Sequence, residues 1–198
     1  MIQFNNLKHE IPYQLLKKKY DEAVDAGQKG IEAISISSYN KELSEVDSRY
    51  VNLKFINSDE FIFFSNYESP KAAAFISHNQ IAALLYWSSI NVQIRMKARI
   101  KKTSDEFNQN YFFYRSKEKN ALAISSKQSK KIGSFNQVKV NYNKSLNKGD
   151  LKTCPKYWGG FSFVPYEIEF WEGNEFRLNK RNLYKKDNTN WNHYILEP

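Results

Sequence analysis

Residues Trp158 to Gly173 read WGGFSFVPYEIEFWEG, and Arg177, Leu178 and Arg181 follow at once. The runs Phe161 to Val164 and Glu167 to Trp171 are short, aromatic and strand-like, which points to a sheet at this end of the chain. Aromatic planes beside guanidinium groups also suit a flat, anionic, heteroaromatic ligand. The rings offer stacking and edge contacts, and arginine presents planar donors to phosphate and carbonyl oxygens. A Tyr/Trp-rich sheet core is the plainer reading of the same residues, and composition alone favours it.

Working outward, the pattern stays mostly β. Ile34 to Ile36, Tyr50 to Ile56, Phe61 to Phe64 and Ile81 to Trp87 read as strands. Val92 to Ile100 sets Val92, Ile94, Met96, Ala98 and Ile100 against Gln93, Arg95, Lys97 and Arg99, a strand with one wet face. At the end, Asn182 to Lys185 and Trp191 to Leu196 return to strand. Helices are expected over Tyr13 to Ala26 with Gly27 as the stop, over Lys71 to Ser77 behind Ser69-Pro70, and over Asp105 to Ser116. Gln128 to Asp150 is polar and Asn/Lys-rich and reads as loop. Many short strands with a few helices between them predict a mainly β, α+β chain built as a small barrel.

The chain has 198 residues, 16% of them aromatic, enough for one large domain with its own core. Mean hydropathy is −0.70, and no apolar run approaches the roughly 20 residues that span a bilayer. The opening residues lack the apolar core of a signal peptide. Cys154 is the only cysteine, so no intrachain disulfide forms; this fits a reducing, cytoplasmic setting. The formal charge is +9, but the lysines are scattered in pairs and triplets rather than gathered into a nucleic-acid tail. His9, His78 and His193 match no metal motif, and no glycine-rich phosphate loop is present. These patterns predict neither a nucleic-acid nor a membrane partner, and no metal.

The order and spacing of several motifs resemble the pyridoxamine 5'-phosphate oxidase family from about Tyr13 to Pro198. The most specific are WGGF at Trp158, IEFWEG at Ile168, RLxxR at Arg177 and WxxxxLxP at Trp191. Weaker ones are RYVNLK at Arg49, FFSNYESPK at Phe63, YFxxR at Tyr111 and SKQS at Ser126. The resemblance implies one FMN-binding split β-barrel over 1–198, with a dimerisation and flavin-site segment at about 155–198. It implies a homodimer with FMN at the interface. Pyridoxamine or pyridoxine 5'-phosphate is then oxidised to pyridoxal 5'-phosphate, with O2 reduced to hydrogen peroxide.

Residue by residue, the resemblance assigns Arg49, Ser65 and Lys71 to the FMN phosphate. It assigns Phe64, Gln93, Gln128, Ser129, Trp171 and Arg181 to the rest of the flavin. Lys54, Tyr111, Arg115 and Lys119 match the substrate-phosphate clamp, and Arg177 and Asn179 the catalytic pair beside the substrate ring. Each has a plainer reading. Arg49 and Lys54 lie five apart on one strand and so point to opposite faces, which leaves one of them in solvent. Tyr111 and Arg115 at i, i+4 on a helix make an ordinary surface pair. Gln93 reads as solvated and Trp171 as core. Lys71 at a helix start opposes the dipole, which favours a phosphate role over helix stabilisation.

Three positions and two stretches depart from the family pattern. Asn179 replaces a histidine, and an amide cannot gain a charge or move a proton near neutrality. Pro70-Lys71 replaces Arg-Lys, one cation fewer. Lys119 replaces a serine of the clamp. The first dozen or so residues carry no Arg-rich run of the kind that covers the site in some relatives. NALAI, ahead of SSKQS, also departs from the usual Gln-Ile-Gly-Ala-Trp. Two rival readings therefore stand beside the oxidase: a phenazine-type flavoprotein of the same family, and a flavin- or pyridoxal-phosphate-binding protein with little turnover.

Overall fold

A computed structural model describes residues 1–148 and 150–198. In chain order its elements are β1 (Gln3–Asn5), α1 (Ile11–Asp25), β2 (Ala33–Asn40), β3 (Glu45–Asn57), β4 (Glu60–Asn66), α2 (Pro70–Ser77), β5 (Gln80–Trp87) and β6 (Val92–Lys102). Then follow α3 (Asp105–Tyr114), α4 (Lys117–Ser125), α5 (Phe135–Lys148), β7 (Trp158–Glu172), β8 (Lys180–Asp187) and β9 (Asn190–Leu196).

Strand pairing closes a ring in the order β3-β2-β5-β6-β7-β4 and back to β3, every pair antiparallel. Two long strands split the barrel. β3 pairs β2 along Glu45–Asn52 and then β4 along Leu53–Asn57. β7 pairs β4 at Trp158–Phe163 and β8 at Glu167–Glu172, with β6 along its other edge. The β8–β9 hairpin thus extends the sheet beyond the ring.

Alternation decides what fills the ring. Val92, Ile94, Met96, Ala98 and Ile100 of β6 are all buried, as the period-2 pattern predicts. Phe61 stacks on Phe163 at 5.1 Å, and Phe63 on Phe161 at 5.8 Å. Burying such rings contributes about 1.5–3 kcal/mol each. α1 covers one end of the core with Tyr13, Leu16, Tyr20 and Ala23, and Gly27 ends it at φ +73°, a conformation that favours glycine.

Four expectations need correcting. The stretch expected as loop at 128–150 contains α5; Gly149, within it, lies outside the described residues. The signal was Ser134-x-x-Gln137, and half of that pattern forms: the Ser134 hydroxyl accepts the Gln137 N–H at 3.2 Å, while the Gln137 side chain donates to Asn141. The helix expected to Ser116 stops at Tyr114, and Ser116 instead caps α4, which the sequence reading did not anticipate. The two strands expected at 161–171 are one, β7, with a register shift that leaves Tyr166 extra beside Pro165. A bulge is where a proline without an N–H fits a strand. β1, parallel to β3, was also not anticipated.

Candidate functional site

Lys54, Ser65, Lys71, Tyr111, Arg115 and Gln128 line one cavity of about 210 Å³ on the outside of the β3–β4 corner. A second, of about 230 Å³, adjoins it and shares Phe64, Ser65, Arg115 and Gln128; Lys119 and Trp158 line this one. β3, β4 and the starts of α2 and β7 carry these side chains, with α3 and α4 closing over them.

The parity of Arg49 and Lys54 has a structural answer. Pairing of β3 with β4 slips between Leu53 and Phe55, so Lys54 is the extra residue of a bulge. A bulge re-aims a side chain relative to the regular pleat. Arg49 does not itself line the cavity; it donates to the Ile36 carbonyl at 3.2 Å and the Ser38 hydroxyl at 2.8 Å, and is paired with Asp47. That pairing holds the Asp47 carboxyl below its ordinary range.

Lys71 donates to the Ser65 and Ser69 hydroxyls at 3.2 and 3.3 Å. Burial, and next the Arg49 charge, lower its pKa. Burial also lowers that of Lys54, helped by Lys119 and Arg115 against the pull of Glu32 at 4.0 Å. Among the described residues neither Lys71 nor Arg115 has a carboxylate partner. Crowded, partly desolvated cations of this kind favour an anion with several acceptor oxygens.

Aromatic rings form the wall. Phe64 stacks on Tyr111 with centroids 3.9 Å apart and on Trp158 at 5.1 Å. Arg115 lies 4.9 Å over the Trp158 ring. It is not helical, contrary to the i, i+4 reading: it follows α3 in an extended conformation, φ −73° and ψ 152°. The Gln128 side-chain carboxamide oxygen accepts the Ser65 hydroxyl at 3.2 Å, and Ser129 next to it is exposed with φ +68°. Sequence reasoning quoted Trp158 without giving it a site role and missed Asn120, which holds Arg115 from behind.

The remaining predicted residues lie elsewhere. Gln93, Trp171 and Arg181 are direct neighbours in one row across β6, β7 and β8. Buried Glu169 sits beside them, 2.8 Å from Arg181 and 3.2 Å from Arg95. Arg177 is exposed in the β7–β8 loop with φ +60°. The Asn179 carboxamide oxygen accepts the Asn174 N–H at 3.1 Å and closes that loop. None of these lines either cavity. From Trp158 to Trp171 the strand rises on the order of 40 Å at ~3.3 Å per residue.

A split barrel with a strand pair appended to β7 and a cation-lined cleft under an aromatic wall defines a class of oxidase-like proteins, and the comparisons agree. The model described as pyridoxamine 5'-phosphate oxidase matches residues 20–148, and that of the pyridoxine 5'-phosphate oxidase C-terminal dimerisation region matches 158–198. A pyridoxine/pyridoxamine 5'-phosphate oxidase of Colwellia psychrerythraea is 34% identical over 180 residues, covering 88% of this chain and 82% of that protein. One of Coxiella burnetii is 32% identical, covering 94% and 95%. In fold, the chain is similar to PhzG of Burkholderia lata, solved with tetrahydrophenazine-1-carboxylic acid, at TM-score 0.89 and 22% identity over 98% of this chain and 100% of that one. A pyridoxamine 5'-phosphate oxidase-related, FMN-binding protein of Nostoc punctiforme gives TM-score 0.79 at 11% identity over 96% and 100%.

The chain belongs to the pyridoxamine 5'-phosphate oxidase family and is an oxidase-like enzyme. No helix among the described residues is long and apolar enough to cross a membrane.

Proposed function

We propose that this chain is a cytoplasmic, homodimeric oxidase that uses FMN and O2 to convert pyridoxamine or pyridoxine 5'-phosphate into pyridoxal 5'-phosphate, releasing hydrogen peroxide. The observation that carries it is the cavity where Lys54, Tyr111 and Arg115 converge beside Lys71, cations enough for two phosphates. FMN, when bound, supplies the hydride acceptor and the route for electrons to O2.

In this reading Arg49, Ser65 and Lys71 hold the FMN phosphate, with Phe64, Gln128 and Ser129 along the flavin. Lys54, Tyr111, Arg115 and Lys119 hold the substrate phosphate. Gln93, Trp171 and Arg181 sit at the far end of β7, and Arg177 and Asn179 lie in the loop next to it. They reach the same site from the second copy of the chain. The 155–198 segment then serves both dimerisation and the flavin, within one domain spanning the chain. Two fixed phosphates place the substrate carbon against the flavin, and positioning of this kind lowers the barrier without new chemistry from the protein.

The test is direct. Purified protein should bind FMN with a Kd of about micromolar or tighter and release peroxide from pyridoxamine 5'-phosphate. Failure to bind FMN on reconstitution removes the reading. One observation favours the phenazine-type alternative: Asn179 cannot act as an acid, and its side-chain carboxamide oxygen is already engaged by the Asn174 N–H. Bound FMN with no peroxide from pyridoxamine 5'-phosphate, in the parent and in Asn179→His, would move the assignment to that alternative or to a binding protein.

A further inference from the structure

Arg115 is set in place before any ligand arrives. Its Nη1 donates to the Lys119 carbonyl at 2.8 Å and to the Asn120 carboxamide oxygen at 3.1 Å, while its plane lies over Trp158. Among the described residues its Nε and Nη2 have no protein acceptor. One edge of the guanidinium is therefore anchored, and the rest is left for a ligand.

Asn120 is what does the anchoring. It is 1% exposed, and its carboxamide is engaged at both ends. The amide nitrogen donates to the Phe112 carbonyl in the last turn of α3 and to the Leu151 carbonyl, each at 2.8 Å. The oxygen takes Arg115. Two donors and an acceptor on so short a side chain are met only by asparagine. Aspartate keeps the acceptor but sets a carboxylate against two carbonyl oxygens, and alanine or leucine leaves both carbonyls unpaired in a buried place. The Asn120 N–H also donates to the Ser116 carbonyl at 3.0 Å, so the first turn of α4 fixes where the carboxamide points.

We propose that Asn120 is a positioning residue for the phosphate clamp. It ties the end of α3, the start of α4 and the Leu151 segment to Arg115 and presents that guanidinium to a phosphorylated ligand already oriented. The inference rests on the reading of Arg115 as a phosphate contact. Pre-ordering of this kind raises affinity by removing the cost of immobilising a long side chain on binding.

The test uses FMN-loaded enzyme. Asn120→Ala should raise KM for pyridoxamine 5'-phosphate about tenfold, the scale of one charge-assisted hydrogen bond. kcat and FMN affinity should each stay within about twofold of the parent. Asn120→Ala should add little on top of Arg115→Ala, because both remove the same contact. Additive losses, or a joint fall of kcat and FMN affinity, indicate a merely structural asparagine and overturn the proposal.

Should Asn120→Ala not fold, nitrogen NMR of the parent decides. The Arg115 guanidinium should show hindered rotation in ligand-free protein, and free rotation there overturns the proposal. If the parent oxidises no pyridoxamine 5'-phosphate, the proposed reaction fails on its own. The Kd for pyridoxal 5'-phosphate then replaces KM, with the same non-additivity of Arg115→Ala and Asn120→Ala expected, and no binding by the parent overturns the inference too.

Discussion

Trp158 and Trp171 lie on one strand, β7, 13 positions apart; the first walls the cation-lined cleft and the second neighbours Arg181. On the order of 40 Å of strand separates the two rings. On the proposed assignment, a two-fold dimer would bring one copy's Trp171 end to the other's cleft.

Complementation tests this. Arg49→Ala and Arg181→Ala chains should each lose FMN as homodimers. Co-expressed at equal levels, they should recover about a quarter of the sites: half the dimers are mixed, and each mixed dimer holds one unaltered site. Flavin absorbance per chain gives the count. No recovery, with mixed dimers present on differential tags, means that each site is built within one chain.

Alkaline pH should weaken phosphate binding. The pKa values of Lys71 and Lys54 are lowered from 10.5 in the free protein, burial being the main cause. Between those lowered values and 10.5 the unfolded chain binds more protons, so free-state stability gains from these groups as pH rises through that window. A bound phosphate dianion pulls both pKa values back up. Binding therefore takes up protons there, and affinity falls as pH climbs. Fluorescence titration should show FMN affinity dropping across that window in the parent and less steeply in Lys71→Met. Riboflavin, without the phosphate, serves as control; equal slopes for the two flavins would count against the assignment of Lys71.

Arg177 holds a left-handed backbone, φ +60°, that costs a non-glycine residue about 1 kcal/mol. Arg177→Gly should keep the thermal midpoint at or slightly above the parent's, yet lower pyridoxamine 5'-phosphate oxidation at least tenfold. A lower midpoint with unchanged turnover would make this arginine a loop residue rather than a substrate contact.

The paired glycines of WGGF are packed against a polar network. A Cβ on Gly159 would collide with the Tyr67 hydroxyl and come within 2.5 Å of Asn108 Nδ2. Asn108 accepts the Gly160 N–H at 2.8 Å and donates to Tyr67 at 3.0 Å. Gly159→Ala should cost about 1–3 kcal/mol by overpacking, read as a lower urea midpoint at unchanged m-value. Parent-like unfolding would show that Tyr67 and Asn108 move aside without loss.

Read locally, the residues of this chain already state a good deal. Alternation in Val92 to Ile100 named the buried face of β6, and Gly27 marked the end of α1; of Leu15, Leu16, Tyr20, Ala23 and Val24, read at helical spacing, α1 buries Leu16, Tyr20 and Ala23 and leaves Val24 exposed. Those features follow from 2-residue and 3.6-residue periods, which a sequence carries within a few positions. The site residues were legible as types, cations and aromatics in motifs of fixed order. Their grouping was not. The bulge that turns Lys54, the exit of Arg115 from α3 onto Trp158 and the burial of Asn120 behind it arise where separate elements meet. The length of β7, unbroken through Pro165 because a bulge absorbs the missing donor, sets Trp158 and Trp171 apart. Local pattern fixes which face a residue shows; only the closed ring fixes which other residues that face meets, because its pairing joins positions more than 50 apart in sequence, such as Asn66 and Trp158.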